Sequence, residues 1–144
     1  MTAAPDFPIP RREADLVAAL LTGMPSRWRG CWVATEVPTH GKARADIILM
    51  TPRQTVAIEV KRTAWQRALG QALLNRYIAD RSYVALWAGV VSDRVVRDAA
   101  SLGLGVIAIE PGRSTVVQSA ARVYPDPELR GRVRQAVRDL VGVP

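Results

Sequence analysis

The chain contains one cysteine, one histidine and two lysines among its 144 residues. Cys31 cannot form an internal disulfide. Because it lies in the apolar run Cys31-Trp32-Val33-Ala34, we interpret it as a buried structural thiol rather than a nucleophile. One cysteine and one histidine cannot assemble a thiolate–imidazole metal site within one chain. A metal bound by this chain alone must therefore be held by oxygen ligands.

Long hydrophobic runs and nucleotide-binding loops are also missing from the sequence. No apolar stretch approaches the ~20 residues needed to span a bilayer, and residues 1–10 lack the charged start and apolar core of a signal peptide. No Gly-x-x-x-x-Gly-Lys-Ser/Thr loop is present. We therefore expect a cytoplasmic protein without a membrane partner, and residues 1–10 read as a loose, proline-rich start.

The composition that is present is hydrophobic and basic. Hydrophobic residues make up 49% of the chain, which favours a packed core, and the length allows a single domain spanning residues 1–144. A net charge of +7 favours nucleic acid as a partner, through contacts with phosphates. Lys42 and Lys61 are the only lysines among 20 basic residues. Lys61 is notable because it follows Glu59 by two positions, where a compact charge with an adjustable pKa suits a reacting water.

Hydrophobic periodicity predicts an α/β fold with a mixed central sheet flanked by helices. Ser92 and Asp126 are predicted helix N-caps, and Pro127 fits the first turn of the last helix. The predicted helices cover about residues 12–21, 64–80, 93–102 and 127–141. The predicted strands cover about residues 31–37, 44–50, 55–61, 83–88, 105–109 and 115–119.

The hairpin predicted over residues 44–61 carries the most informative charged residues. Its strands are apolar and rich in β-branched residues, and Thr51-Pro52-Arg53-Gln54 between them is typical of a turn. A turn centred near Arg53 places Asp46 roughly opposite Val60, so the Asp46 and Glu59 carboxylates lie at the same end of the sheet. Glu59 and Lys61 share a face of their strand. Such charges are costly to bury unless a cation and a substrate balance them, which is typical of a metal-dependent phosphodiester site.

Asp46, followed on the next strand by Glu59-Val60-Lys61, resembles the signature of the PD-(D/E)xK nuclease superfamily, whose core is the restriction-endonuclease-like fold. The resemblance extends over about residues 11–88, where the predicted order α-β-β-β-α-β is similar to that of the family. The sequence departs from the family pattern at Ala45, where proline is frequent. It also departs after Gln71, because many members carry a tyrosine four residues later and this chain carries Asn75.

This resemblance implies a Mg²⁺- or Mn²⁺-dependent DNA endonuclease. Asp46, Glu59 and the Val60 carbonyl would bind the metal, and Lys61 would orient the attacking water or stabilise charge on the phosphate. Gln71, on the helix after the motif, would steady the site, although a solvated position is an equal alternative. The products would carry 5′-phosphate and 3′-hydroxyl ends, and a homodimer would address both strands.

A third acidic ligand has two candidates in the sequence. Related Holliday-junction resolvases and Mrr-like nucleases place a metal-facing glutamate on the first helix, which implies this role for Glu13. The alternative for Glu13 is an acidic residue that complements the dipole at a helix start. Glu36, at the end of an apolar strand, points either into the same cleft or into water.

Candidate DNA-backbone contacts lie around the motif, at His40, Lys42 and Arg44 in the preceding loop and at Arg62 after it. A second basic feature, on the last helix, is a stripe with a period of four residues that is either a solvated face or a track for phosphates. The stripe consists of Arg130, Arg134 and Arg138.

Three functions follow from these patterns. The first is the metal-dependent DNA endonuclease, acting in repair, recombination or defence. The second is a catalytically silent nucleic-acid-binding subunit of a larger complex with the same fold. The third, more distant, is a basic α/β protein that binds a nucleotide or an RNA.

Overall fold

The computed structural model describes residues 7–143 and has the predicted α/β architecture, a mixed six-stranded sheet flanked by helices. The strands lie side by side in chain order. They are β1 (Trp32–Pro38), β2 (Arg44–Met50), β3 (Thr55–Lys61), β4 (Arg81–Trp87), β5 (Gly105–Glu110) and β6 (Arg113–Gln118). The helices are α1 (Glu13–Thr22), α2 (Trp65–Leu74), α3 (Asp93–Ser101) and α4 (Pro127–Val141), with 3₁₀ turns at Ser26–Trp28, Asn75–Tyr77 and Ala88–Val90.

The predicted hairpin is confirmed as β2 and β3, joined by a four-residue turn. Thr51 closes this turn twice, since its amide donates to the Gln54 carbonyl and its hydroxyl accepts from the Gln54 amide, both at 2.9 Å. The side-chain contact is a local turn-forming bond of the kind that threonine favours. The turn fixes the register of the two strands.

The register differs by one residue from the one predicted. Ile47 pairs with Ile58, so Asp46 lies level with Glu59 rather than with Val60. The predicted register was wrong because it assumed a turn centred at residue 53, whereas the closed turn is symmetric about residues 52 and 53. The correction brings the two acidic residues into the same row of the sheet.

The middle of the sheet is parallel and buried on both faces. Strand β3 pairs in parallel with β4, and β4 pairs in parallel with β5, through crossovers that contain α2 and α3. Nearly every residue of β3, β4 and β5 is buried, as expected for strands covered by helices on both sides. The predicted cap of α3 is confirmed, because the Ser92 hydroxyl accepts from the Val95 amide.

Helix α1 covers one face of the sheet, and α2, α3 and α4 cover the other. Leu16 and Leu20 of α1 are fully buried in a cluster with Ile47 and Ile58. On the opposite face, the other helices pack on alternate positions of the strands. Val84 belongs to this second face and pairs with Glu59, so the Glu59 side chain points toward α2.

Helix α2 is shorter than the predicted segment of residues 64–80. The α-helix ends at Leu74 and continues only as a 3₁₀ turn at Asn75–Tyr77. The Asn75 carbonyl accepts from the amides of Ile78 and Ala79, which tightens and closes this end. Tyr77 is left 63% exposed and Leu74 is left 66% exposed at the surface.

Two of the three arginines in the predicted stripe on α4 do not form a solvated face or a phosphate track. Arg134 is 6% exposed, and its guanidinium donates to the carbonyls of Thr51, Pro52 and Gln54 and to the Thr55 hydroxyl. Burial and two neighbouring arginines lower its pKa.

Arg130 has a similar structural role. It donates to both carboxylate oxygens of Asp80, at 3.0 and 2.9 Å, and to the Arg53 carbonyl. Two members of the stripe therefore fasten α4 to the β2–β3 turn, and the sequence interpretation was wrong because it could not show that acceptors at residues 51–55 and 80 face this helix. The predicted start of α4 is confirmed, since the Asp126 carboxylate accepts from two amides of the first turn.

The expected loose start of the chain can be followed only in part. Residues 1–6 lie outside the described residues. Residues 7–10 have no regular secondary structure but are attached to the body of the protein, because Trp87 donates to the Phe7 carbonyl and Arg62 donates to the Pro10 carbonyl. Across residues 7–143, every helix is too short or too polar to cross a membrane.

Candidate metal and nucleic-acid site

The site begins where β1 and β2 bend. Ala45 and Ile47 are two residues apart on β2, yet they pack in clusters on opposite faces of the sheet. At the same level of β1, Glu36 adopts a left-handed backbone with φ of 51°. Because side chains two apart on a regular strand share a face, the row of Glu36 and Asp46 marks a local change of strand direction.

Beyond this bend, Asp46 is not part of the backbone pairing between β2 and β3. Pairing between β2 and β3 ends at Ile47 and Ile58, and beyond it the Asp46 carboxylate accepts from the backbone amide of Val60 at 2.8 Å. This bond orients the carboxylate across the end of β3. The predicted proximity of Asp46 to the Glu59-Val60-Lys61 segment is therefore present in the structure.

Glu59 is a buried acid with two polar neighbours. It is 5% exposed, and its Oε1 accepts from the Asn75 side-chain amide at 2.9 Å. Burial and the charge of Asp46 raise the pKa of Glu59 to about 8, and a hydrogen bond with Asp46 adds to the increase, while Asn75 and Lys61 oppose it. The raised pKa favours the protonated form of Glu59 beside the Asp46 carboxylate.

Lys61 and Glu13 meet at the edge of this pair. The Lys61 ammonium lies 3.6 Å from a carboxylate oxygen of Glu13, the first residue of α1. The Lys61 side chain is 20% exposed and that of Glu13 is 46% exposed. Helix α1 thus brings Glu13 to the end of β3, where it contacts the lysine of the motif.

Glu36 is level with Asp46, but its side chain is exposed. Its backbone carbonyl accepts from the Arg44 guanidinium at 3.2 Å, which ties the bend to the strand that follows. Within the described part of the chain, no third His, Cys, Asp or Glu side chain joins the acidic pair in a three-ligand group. Glu13 and Glu36 both stay candidates at the rim.

A cavity of about 420 Å³ opens beside Glu59, between the β1–β2 loop and the end of α2. Gln71 lines it, and the Gln71 Oε1 atom is buried without a hydrogen-bond partner among the described residues. Two predicted DNA contacts, His40 and Arg44, also line this cavity. Lys42 is exposed at the tip of the same loop, and the Arg62 side chain lies outside the cavity lining, bound to the start of the chain.

Asn75 is the site residue that sequence reasoning missed. It is 7% exposed and holds the Glu59 carboxyl group directly. The available signal was its position, one helical turn after Gln71, where many nucleases of the resembled family carry a tyrosine. In the sequence, Asn75 stands out only as a departure from the family pattern, because the sequence does not show that its side-chain amide points toward β3.

The donors gathered here suit a hard divalent cation. Asp46 and Glu59 supply carboxylate oxygens, and the pair retains a proton that a cation can replace. The amide donors of Val60 and Asn75 fix the orientation of both carboxylates before a ligand binds. The arrangement therefore fits an oxygen-ligated Mg²⁺ or Mn²⁺ ion.

Comparison with known proteins yields structural neighbours but no sequence family. No family model and no curated protein matches the chain. Its fold is similar to that of a protein of unknown function from Silicibacter pomeroyi, with a TM-score of 0.62 and 18% identity over 93% of this chain and 86% of that one. A weaker match is the SfsA protein of Pyrococcus furiosus in complex with Ca²⁺, with a TM-score of 0.40 and 13% identity over 76% of this chain and 61% of that one. The first of these neighbours shows that the fold has a precedent among solved structures.

Proposed function

We propose that this chain is a cytoplasmic, Mg²⁺- or Mn²⁺-dependent DNA endonuclease with a restriction-endonuclease-like core of the PD-(D/E)xK type. The observation that carries the proposal is the acidic pair itself. Asp46 and Glu59 lie at the end of a buried hairpin, and the pKa of Glu59 is raised to about 8. Two neighbouring acids, of which Glu59 is buried, are unfavourable as a doubly charged pair unless a proton or a cation compensates the charge. The element order α1-β1-β2-β3-α2-β4 supports the same family.

The ion would be held by Asp46, Glu59 and the Val60 carbonyl, with Glu13 as the candidate third carboxylate. When bound, Mg²⁺ or Mn²⁺ supplies an activated water and neutralises charge on the phosphate. Lys61 orients that water or stabilises the same charge, and its contact with Glu13 keeps the ammonium at the end of β3. Val60 and Asn75 keep the carboxylates aligned through their amides.

The substrate in this proposal is DNA, bound first by its phosphates. His40 and Arg44 lie at the cavity beside Glu59, and Lys42 is exposed on the loop between them. A net charge of +7 adds long-range attraction for a polyanion. A second copy of the chain, or further subunits of a nucleic-acid-processing complex, would extend this surface.

A nuclease assay tests the proposal. Wild-type protein is incubated with linear duplex, single-stranded, nicked and branched DNA in Mg²⁺, Mn²⁺ or EDTA. We expect cleavage in the metals and none in EDTA. Asp46→Asn should abolish cleavage and keep DNA binding, whereas Asp139→Asn makes the same change on the exposed face of α4 and should leave cleavage unchanged. Lys61→Ala should lose cleavage while metal binding remains.

The silent-subunit alternative is favoured by one observation: within residues 7–143, no third acidic side chain joins Asp46 and Glu59, and Glu13 contacts Lys61. In that function Lys61, Glu13 and Glu36 are part of a binding surface and take no part in cleavage. Wild-type protein that binds DNA but cuts no substrate, together with calorimetry that finds no metal bound in the presence of DNA, would replace the nuclease proposal with this one.

A further inference from the structure

The cavity beside Glu59 also has apolar lining residues that the cleavage proposal does not use. The apolar part of the lining consists of Ala43, Leu74, Ile78 and Leu129. The volume of the cavity, about 420 Å³, lies within the range of roughly 300 to 1,000 Å³ that is usual for small-molecule sites. A phosphate group needs no such apolar lining, because it is recognised by charge and by N–H donors. The apolar lining indicates a flat or apolar ligand group next to the acidic pair.

One polar residue of the cavity lining, Gln71, carries a buried atom without a partner. Gln71 Oε1 is buried and has no hydrogen-bond partner among residues 7–143, while Asn75, one turn later, already donates to Glu59. Leaving a buried amide oxygen unsatisfied costs stability, so a ligand that donates to it is favoured. Glutamine side chains form such bonds with the edges of nucleobases.

Exposed aromatic rings continue from this cavity along the surface. Tyr77 is 63% exposed and lines both the cavity and a second hollow of about 640 Å³, whose other wall includes Tyr124. Tyr124 is 91% exposed, and the Arg122 guanidinium lies 5.9 Å from its ring centroid. Arg76 lines the same hollow. Exposed rings next to arginines are the usual platform on which unstacked bases bind.

We propose that this surface binds unpaired nucleotides of the DNA beside the scissile bond, with one base in the cavity against Tyr77 and Gln71 and the next base on Tyr124. This inference rests on the proposed function, since it takes DNA as the ligand. A fully paired duplex keeps its base faces stacked inside the helix and cannot offer them to these rings. The preferred substrate is therefore single-stranded DNA, or a branched or frayed DNA with an unpaired segment.

Binding measured without cleavage tests this inference. Fluorescence anisotropy in EDTA compares a labelled single strand with a blunt duplex of the same length, at one fixed salt concentration. We expect wild-type protein to favour the single strand. Tyr77→Ala should weaken single-strand binding by about 5- to 150-fold, the loss of roughly one base–aromatic stack, and duplex binding by less than about twofold. Tyr77→Phe keeps the ring and should keep the affinity.

A matched control and a direct readout complete the experiment. Trp32→Ala removes another partly exposed ring, at the opposite end of β1 and β2 from Asp46, and should leave single-strand affinity unchanged. A single strand containing 5-iodouracil should crosslink on illumination to Tyr77 or Tyr124, identified by mass spectrometry. Equal losses for both DNA forms, no loss in Tyr77→Ala, no binding by the wild type, or crosslinks only elsewhere would overturn the inference.

These outcomes separate the two proposals. A protein that shows the stacking results but cuts no DNA retains the binding surface and loses the nuclease assignment. A protein that cuts paired duplex in Mg²⁺, with Tyr77→Ala fully active and binding normally, retains the nuclease assignment and loses the unpaired-base surface.

Discussion

The buried Glu59, next to the partly buried Asp46, predicts an unusual dependence of stability on pH. The pKa of Glu59 rises from 4.5 to about 8 in the folded chain. Below pH 4.5 the carboxyl is protonated in both folded and unfolded protein, so it contributes no difference. Between pH 4.5 and 8 the unfolded chain has lost this proton and the folded chain keeps it, so each increase in pH favours unfolding. Above pH 8 both states are ionised and the penalty is constant.

The magnitude follows from the size of the shift. At about 1.4 kcal/mol per pKa unit, the change corresponds to at most about 5 kcal/mol of lost stability across this window. Glu59→Gln removes the ionisation but keeps an oxygen that can accept from Asn75 and an amide that can donate to Asp46. The variant should therefore gain stability relative to wild type as pH rises from 4.5 to 8. We expect a relative gain of at least about 2 kcal/mol, since relaxation reduces the upper limit.

Urea unfolding in EDTA at pH 4.5, 6, 7 and 8.5 measures this gain. With a slope of about 1 to 3 kcal/mol per molar urea, the midpoint of Glu59→Gln should move up by roughly 1 M relative to wild type between the extremes. Glu110→Gln makes the same substitution at the end of β5, away from the pair, and should keep a constant offset from wild type. Parallel curves for wild type and Glu59→Gln would refute the inference that burial and Asp46 hold a proton on Glu59.

Two further predictions concern the metal and the α4 anchor. Mg²⁺ binding near pH 6.5 should release up to about one proton from the acidic pair. The measured calorimetric enthalpy of binding should therefore change with the ionisation enthalpy of the buffer. A binding enthalpy that is independent of the buffer would contradict this prediction. Arg134→Ala should lower the free energy of unfolding, measured in urea, by about 2 to 4 kcal/mol, because four hydrogen bonds to residues 51–55 are lost. Arg132 is exposed, so Arg132→Ala should change this free energy by less than about 1 kcal/mol. Equal effects of the two substitutions would contradict the buried role of Arg134.

The parts of the fold that local patterns determine were predictable from sequence. The two strands of the hairpin follow from their apolar, β-branched runs, and both predicted N-caps, Ser92 and Asp126, depend only on the few residues after them. The same locality explains the one-residue error in register, because a turn of four residues can close around more than one centre until its hydrogen bonds are known.

The parts that depend on distant contacts were not predictable in the same way. Three arginines that recur every four residues on α4 suggested a solvent-facing stripe or a phosphate track, but the Arg130 partner is Asp80, fifty residues earlier in the chain. Asn75 contacts Glu59 only because the crossover lays α2 on β3. Single-sequence patterns give the identity of such residues and not their partners, so a residue with a distant structural role looks like a surface residue.

Two separate energetic costs meet in one row of the sheet. Glu36 holds a left-handed backbone, which costs a non-glycine residue roughly 1 to 2 kcal/mol. At the same level, Asp46 and Glu59 face each other with a proton retained on the pair. Neither feature helps the chain to fold, and the surrounding apolar strands have to offset both. Backbone strain and unfavourable burial that coincide at one place are typical of a binding site where the free energy of ligand binding offsets both. The row of Glu36, Asp46 and Glu59 is therefore where we propose that a ligand binds.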